Sequence, residues 1–118
     1  MTTHDYDQIV RAVQLYVEGF GSGDVAKLKE AFHEDAWMFF VDRDGRFVNC
    51  PLTDEVFEGW SRQKREKIGL RVISVAQMGD VAAVALAFGD EWMDFHSLVR
   101  VDGAWKITNK TASHRSRE

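Results

Sequence analysis

The chain has 118 residues, of which 45% are hydrophobic and 29% charged, as is ordinary for one globular domain, so we expect a single domain over residues 1–118. Its net charge of −4 disfavours nucleic acid and anionic membrane surfaces as partners. No apolar stretch has the length of a membrane span, no leader-like segment begins the sequence, and the one cysteine, Cys50, allows no intrachain disulfide. We therefore expect a cytoplasmic protein.

Apolar residues at helical spacing predict two helices in the first third of the chain. The first spans residues 5–20, and the glycines that follow open a turn. The second begins after Asp24, its predicted N-cap, and stops at the polar segment 33–35. The aromatic run 37–41 predicts a buried strand, so His33 should lie at the junction of a helix and a strand.

Turn and capping residues predict a short hairpin and a third helix in the middle of the chain. The Asp-Gly pair at 44–45 is a strong signal for a tight turn, and residues 47–48 begin the returning strand. Thr53 is the predicted N-cap of the third helix. Residues 61–67 follow, rich in Lys and Arg, and form either a solvated turn or a basic rim over a pocket.

The second half of the chain predicts four strands, over residues 70–78, 81–88, 91–101 and 104–111. Two-residue turns that contain Gly and Asp separate them, which is typical of an antiparallel meander. The predicted element order is α-α-β-β-α-β-β-β-β. The expected fold class is α+β, with three helices packed on one face of a curved mixed or antiparallel sheet.

The Asp-Gly turn at 102–103 sets the register of the last two strands. In a two-residue hairpin the residues that flank the turn pair with each other, and the pairs continue outward. The expected pairs are Val101 with Ala104, Arg100 with Trp105, Leu98 with Ile107, His96 with Asn109, and Asp94 with Thr111.

Paired residues share one face of a sheet, and faces alternate along each strand. The face that carries Trp105 is apolar enough to pack under the helices, and Asp94, His96 and Asn109 continue the same face. An apolar surface with polar groups at one end predicts a pocket beneath the helices. The other face, with Lys110, suits the outer side of the sheet and a contact between two subunits.

Asp94 and His96 are candidate catalytic residues because they are two positions apart on one strand and share a face. A carboxylate beside an imidazole raises the pKa of the His and lowers that of the Asp, which prepares a pair for acid–base chemistry. Tyr16 on the first helix is the third candidate, since its hydroxyl could polarise a ligand. The alternatives are a structural polar pair and a tyrosine that packs in the core.

Five further residues are candidates for ligand binding. His33 either contacts the pocket or makes a hydrogen bond at the helix–strand junction. Trp37, Trp60 and Trp92 form either pocket wall or core. Asn109 is expected beside His96 on the inner face.

The motifs of the sequence indicate neither a metal nor a cofactor. The spacing of His33, Asp94 and His96 does not favour a metal site. The sequence contains no Gly-rich phosphate loop, no Gly-x-Ser-x-Gly elbow and no Cys–His nucleophile signature. We therefore expect no cofactor, no metal and no covalent catalysis.

Three stretches resemble a known superfamily. They are residues 16–40 (YVEGFGSGDVAKLKEAFHEDAWMFF), residues 52–60 (LTDEVFEGW) and residues 93–110 (MDFHSLVRVDGAWKITNK). Together with the element order, they make the chain similar to the nuclear transport factor 2-like (NTF2-like) superfamily, which includes ketosteroid isomerase and SnoaL-type cyclases. Within it, the branch called putative lumazine-binding proteins is the most similar. The resemblance implies a cone-shaped fold, a deep pocket between sheet and helices, and a homodimer formed through the sheet.

The resemblance to ketosteroid isomerase carries over for one residue and fails for another. Tyr16 matches the tyrosine of the first helix that donates to the developing oxyanion in that enzyme. The general-base aspartate of the isomerase falls at about Phe40, which cannot take a proton. Isomerisation by that route is therefore not expected, and Asp94 or His96 would have to act as the base.

Three functional hypotheses remain. The first is a protein that binds a small organic ligand in the pocket. The second is a cofactor-independent isomerase, cyclase, dehydratase or hydrolase that uses Asp94 and His96 as acid and base. The third is a dimerisation or protein-interaction module whose cavity is filled by its own aromatic side chains. A fold of this kind does not by itself decide among them.

Overall fold

The computed structural model describes residues 1–63, 65 and 68–118. Two of the four cations of the basic segment 61–67, Lys64 and Lys67, lie outside the described residues, and so does that part of the predicted basic rim. The described elements are α1 (Thr3–Ser22), α2 (Val25–Ala31), β1 (Phe32–Val41), β2 (Phe47–Pro51), α3 (Asp54–Ser61), β3 (Leu70–Met78), β4 (Val81–Phe88), β5 (Trp92–Val101), β6 (Ala104–His114) and a 3-10 turn at Arg115–Arg117.

Six strands form one open mixed sheet in the order β2-β1-β6-β5-β4-β3. The four strands of the second half pair as the predicted antiparallel meander, and β1 joins β6 in parallel. The predicted fold class and element order are therefore confirmed. Within the described residues, no helix is both long enough and apolar enough to cross a membrane.

Side-chain caps fix where the helices begin. The side-chain oxygens of Thr2, Asp24 and Thr53 accept backbone N–H groups in the first turns of α1, α2 and α3. Gly23 ends α1 in the left-handed conformation, with φ of 71°, so α1 turns sharply into α2. Asp24 and Thr53 confirm the predicted caps, whereas α1 begins earlier than its predicted start at residue 5.

The core lies between α1 and the inner face of the sheet. Ile9, Val13 and Tyr16 project from one face of α1 and are fully buried. Leu86 and Ile107 meet them from the central strands and are equally buried. Burial of each such apolar side chain contributes about 1.5–3 kcal/mol to stability, so this packing holds α1 across the sheet.

A β-bulge in β6 changes the predicted register. Leu98 pairs with Ile107 as expected, but Ser97 pairs with Asn109, so Thr108 is an extra residue in β6. The Thr108 hydroxyl donates to the Ser97 carbonyl oxygen at 3.1 Å. Beyond the bulge, every residue of β6 lies on the face opposite to the predicted one.

Two predicted strand ends are also wrong. β1 begins at Phe32 rather than at residue 37, so His33 lies within a strand. β6 continues to His114, three residues beyond its predicted end at residue 111. His114 is buried, and its ring contacts Trp92 at 5.3 Å between centroids, which explains why the strand stays ordered.

Two glycine substitutions test the packing of α1 against α2. A Cβ on Gly19 would lie 2.9 Å from Leu28 Cγ and 3.1 Å from the Asp24 carbonyl oxygen, whereas a Cβ on Gly59 of α3 would meet only the Arg62 guanidinium, at 3.8 Å. We expect Gly19→Ala to lower the free energy of unfolding by about 1–3 kcal/mol through overpacking. Gly59→Ala should raise it by up to about 1 kcal/mol through helix propensity.

Urea denaturation followed by circular dichroism measures both changes. If the free energy of unfolding changed by the same amount and in the same direction in both variants, the α1–α2 contact would not be the cause of the destabilisation in Gly19→Ala.

Candidate functional site

A cavity of about 160 Å³ lies between the inner face of the sheet and the helices α1 and α3. Aromatic rings form most of its wall, and Lys110 of β6 contributes an ammonium group. The lining residues are Tyr16, Phe20, Met38, Phe40, Trp60, Gln63, Arg65, Phe88, Glu91, Trp92 and Lys110.

Lys110 belongs to a buried charged cluster with Asp94 and His96 of the neighbouring strand. Its Nζ lies 3.3 Å from Asp94 Oδ2, and His96 Nε2 lies 3.0 Å from the same oxygen. The three residues are 5%, 3% and 0% exposed. Water therefore screens these contacts little, and each charge depends on its partner.

The directions in which the pKa values of Asp94 and His96 are shifted define the charges of these two residues. Burial by itself raises the pKa of Asp94, but Lys110 and His96 outweigh it, and the net pKa lies below the ordinary value. Burial lowers the pKa of His96 more than the Asp94 carboxylate raises it. The expected rise in the pKa of His96 is therefore wrong. At neutral pH, Asp94 is ionised and His96 is neutral, so Nε2–H donates to Asp94 Oδ2.

Three buried polar atoms of this region have no hydrogen-bond partner among the described residues: the Tyr16 hydroxyl, Asp94 Oδ1 and His96 Nδ1. The Tyr16 and His96 ring centroids are 5.2 Å apart. Burial, and then the Asp94 charge, raise the pKa of Tyr16 well above its ordinary value, so its hydroxyl keeps its proton. The cluster thus contains one unused donor and two unused acceptors.

A second ion pair lies among the more exposed lining residues. Arg65 Nη1 is 3.2 Å from Glu91 Oε1, and the Arg65 guanidinium stacks 4.9 Å from the Phe20 ring centroid. Each described cation that lines the cavity is thus matched by a carboxylate, Lys110 by Asp94 and Arg65 by Glu91. The charges of the described lining groups and their partners sum to zero.

The sequence profile of one known family matches residues 4–113, which is most of the chain. That family is described as putative lumazine-binding. The chain belongs to this family. The predicted membership of the NTF2-like superfamily is confirmed by this match and by the solved structures of similar fold.

Three known proteins illustrate what this member of the putative lumazine-binding family is similar to. Aldolase FrzH from Cladobotryum sp is 23% identical over 114 residues, covering 93% of this chain and 91% of that protein. An NTF2-like protein of unknown function from Shewanella baltica has a TM-score of 0.85 and 22% identity, covering 97% of this chain and 96% of its own. A ketosteroid isomerase-like protein from Erwinia carotovora has a TM-score of 0.73 and 13% identity, covering 96% and 98%.

The structure brings together five of the predicted site residues of this family member. Tyr16, Trp60 and Trp92 line the cavity. Asp94 and His96 do not line it but lie behind Lys110 and Tyr16. A ligand in this cavity therefore does not contact Asp94 or His96 directly, because Lys110 and Tyr16 lie between.

Asn109 does not lie beside His96, which corrects the prediction. It pairs with Ser97 on the outer face, because the bulge at Thr108 shifts the register by one residue. Its side-chain oxygen accepts a hydrogen bond from the Thr111 hydroxyl at 3.1 Å. Lys110 pairs with His96 in its place.

His33 and Trp37 line a different cleft, of about 460 Å³, formed by β1, the residues around Pro51, and the start of α3. Among the described residues, none lines both cavities. His33 Nδ1 accepts the backbone N–H of Asp35 at 3.0 Å, as the structural alternative predicts. Trp37 is 43% exposed and stacks on Phe39 on the outer side of the sheet, with 6.3 Å between ring centroids.

Lys110 is the site residue that the sequence analysis missed. Its position on the predicted outer face made it look like an ordinary solvated lysine. A β-bulge without Gly or Pro leaves no clear signal in a sequence. The only feature of the sequence that could have marked position 110 as a candidate site residue is that it is a lysine.

Within the described residues, no group of three or more His, Cys, Asp or Glu side chains is placed to hold a metal ion.

The depressed pKa of His96 predicts how stability depends on pH. Below its ordinary pKa of 6.5, the unfolded chain takes up a proton on this imidazole while the folded chain does not. The free energy of unfolding should therefore fall as the pH is lowered from about 7 to about 5, and the fall should be smaller in His96→Gln. The pKa of Asp94 is also depressed in the folded chain. Asp94 therefore keeps its contribution to the free energy of unfolding until the pH drops below 3.8, the ordinary pKa of an aspartate.

Urea denaturation at a series of pH values measures the slopes, and NMR of the His96 imidazole reports its protonation directly. Identical slopes in the wild type and His96→Gln, or an imidazole that protonates at its ordinary pKa, would contradict the assignment.

Proposed function

We propose that this protein binds a small, uncharged organic molecule that carries a carbonyl group, in the cavity that Lys110 lines. The observation that carries the proposal is an ammonium group on a largely aromatic wall, held from behind by a buried carboxylate. Pockets that enclose drug-sized ligands run from about 300 to 1,000 Å³, so a cavity of about 160 Å³ suits a smaller molecule.

The polar groups favour an oxygen acceptor on the ligand. The Lys110 ammonium has three N–H donors, and Asp94 is its one carboxylate partner among the described residues. The Tyr16 hydroxyl is a second donor that is buried and unused within the described residues. A carbonyl oxygen that accepts from either group would satisfy donors that are otherwise costly to bury.

The charge balance favours a neutral ligand. Asp94 compensates Lys110 and Glu91 compensates Arg65, so an added carboxylate or ammonium would have no free counter-charge among the described lining groups. Trp60 and Trp92 provide flat apolar surfaces for the rest of the molecule. The open volume beside these rings supports ligand binding over the alternative of an interior filled by its own aromatic side chains.

Catalysis is the second candidate, and the buried cluster of Asp94, His96 and Lys110 favours it. Perturbed ionisable groups beside a cavity are typical of acid–base sites. The similarity to an aldolase and to an isomerase-like protein supports chemistry at a carbon next to a carbonyl group. In this proposal Asp94 and His96 remain the acid–base pair and Tyr16 polarises the carbonyl, but protons reach the ligand through Lys110.

Calorimetric titration with three matched probes tests the binding proposal. Acetophenone is a neutral ketone, benzoate an anion and benzylammonium a cation on the same ring. We expect acetophenone to bind more tightly than either ion, because only the neutral ketone leaves the paired charges undisturbed. Lys110→Met should weaken binding of acetophenone by about tenfold, the effect of one lost hydrogen bond to a charged donor.

Lys106→Met is the matched control, because Lys106 lies on the same strand but on the outer side, where its Nζ donates to the Glu30 carbonyl oxygen. It should bind acetophenone as the wild type does. Tighter binding of either ion, or equal weakening in both variants, would refute the proposed ligand class.

We also propose that two copies associate through the outer face of the sheet. Phe95 of β5 is 67% exposed and Met78 of β3 is 80% exposed, and small apolar residues of β4 lie between them. A groove of about 340 Å³ crosses this surface. Contiguous apolar surface of this kind is typical of a subunit contact.

A lysine in this surface should separate the subunits. We expect Phe95→Lys to lower the mass measured by light scattering from that of a dimer to that of a monomer, because a charge would be buried without a partner. Tyr6→Lys, at an exposed position of α1 on the helical side, is the control and should leave the mass unchanged. A wild-type chain that is monomeric at all concentrations would exclude the proposal.

A further inference from the structure

We propose that Lys110 is a nucleophile that forms an imine with an aldehyde or ketone bound in the cavity. The inference rests on the proposed function, since it assigns a covalent step to the same site. It also departs from the sequence motifs, which indicate no covalent catalysis.

Lys110 is suited to this step by its place in the lining. Of the two described cations that line the cavity, the Arg65 guanidinium stays protonated in proteins, whereas a lysine amine can lose its proton and attack a carbonyl carbon. Gln63 and Glu91, the other polar groups of that lining apart from Tyr16, are not nucleophiles of this kind. The amine is therefore the group with which a bound carbonyl compound can react.

The surroundings of Lys110 hold its amine in one place. Asp94 Oδ2 lies 3.3 Å from Nζ, and Asp94 is in turn fixed by His96 at 3.0 Å. The ring centroids of Tyr16 and Trp92 lie 5.6 Å and 5.9 Å from Nζ, within the range of cation–π contacts. A nucleophile positioned in this way reacts faster than a mobile surface lysine, because its orientation is set before the reaction begins.

The Tyr16 hydroxyl is an independent observation in favour of the step. It is fully buried, lines the same cavity and has no partner among the described residues. Its raised pKa keeps it protonated, so it can donate to the carbonyl oxygen as negative charge develops there. Lys110, as the neutral amine, and the Tyr16 hydroxyl thus present a nucleophile and a donor to one small cavity.

The step balances without a further reactant. The Lys110 ammonium first passes one proton to Asp94 Oδ2, 3.3 Å away, and becomes a neutral amine. Its nitrogen then bonds to the carbonyl carbon as the C=O π bond breaks, and one amine hydrogen moves to the oxygen, which gives a carbinolamine. The C–O bond of the carbinolamine breaks next. Asp94 returns its proton to the departing hydroxyl, water leaves, and the nitrogen keeps one hydrogen as the C=N bond forms. The products are a protonated imine, which keeps a positive charge beside Asp94, and one molecule of water.

Reductive trapping tests the proposal. The full chain is incubated with benzaldehyde and sodium cyanoborohydride, whose hydride adds to the imine carbon and leaves a benzyl group on the nitrogen. Intact mass and peptide mapping then locate the label. We expect one benzyl group per chain, on Lys110, formed about tenfold faster than on exposed Lys27 because of binding and orientation.

Two arginine variants serve as matched tests. Lys110→Arg keeps the positive charge beside Asp94 but cannot form the imine, so it should lose the fast labelling while its circular dichroism spectrum stays unchanged. Lys106→Arg, on the same strand, should label as the wild type does. Label spread evenly over the lysines, or fast labelling that survives in Lys110→Arg, would overturn the proposal.

The acetophenone titration separates the two proposals. Saturable binding of acetophenone without fast labelling of Lys110 would refute the imine and leave the binding function intact. If the wild type neither binds acetophenone nor labels rapidly at Lys110, both proposals fail.

Discussion

The site depends on one buried carboxylate. Asp94 accepts contacts from Lys110 and His96 in a part of the core where water does not screen charge. Loss of one partner from a buried ion pair costs about 3–5 kcal/mol, because it leaves the other charge uncompensated. An apolar set of the same volume would often be as stable as such a pair, so stability alone does not account for these three residues. Their place beside an aromatic cavity gives the functional explanation that we propose.

A single extra residue in β6 creates this arrangement. Without the bulge at Thr108, side-chain alternation would direct Lys110 to the outer face and Asn109 inward, and Asp94 would lose its cationic partner. β5 itself has no bulge between these residues. Asp94 and His96 therefore share a face, because they are two positions apart on a regular strand. The bulge thus converts a polar pair into a charged cluster that reaches the cavity through Lys110.

The fold and the site carry different information about function. The chain belongs to a family that is described as putative lumazine-binding, and its fold also occurs in an isomerase-like protein and in a protein of unknown function. One scaffold hosts several activities, so the argument for this chain must come from its own side chains. Phe40 lines the cavity where the isomerase resemblance places a general base, and the reactive group that we propose instead is Lys110.

The sequence by itself determined the helices, the turns and the antiparallel meander, because caps such as Asp24 and Thr53 and two-residue turns such as 102–103 act over a few neighbouring residues. It also placed Asp94 and His96 on the inner face, since alternation within one strand is a local property. Only the tertiary structure decided that Lys110 joins them, that Asn109 does not, and that His33 lies in another cleft. Those outcomes depend on how distant strands pair and where one strand bulges, and packing across the whole sheet sets both.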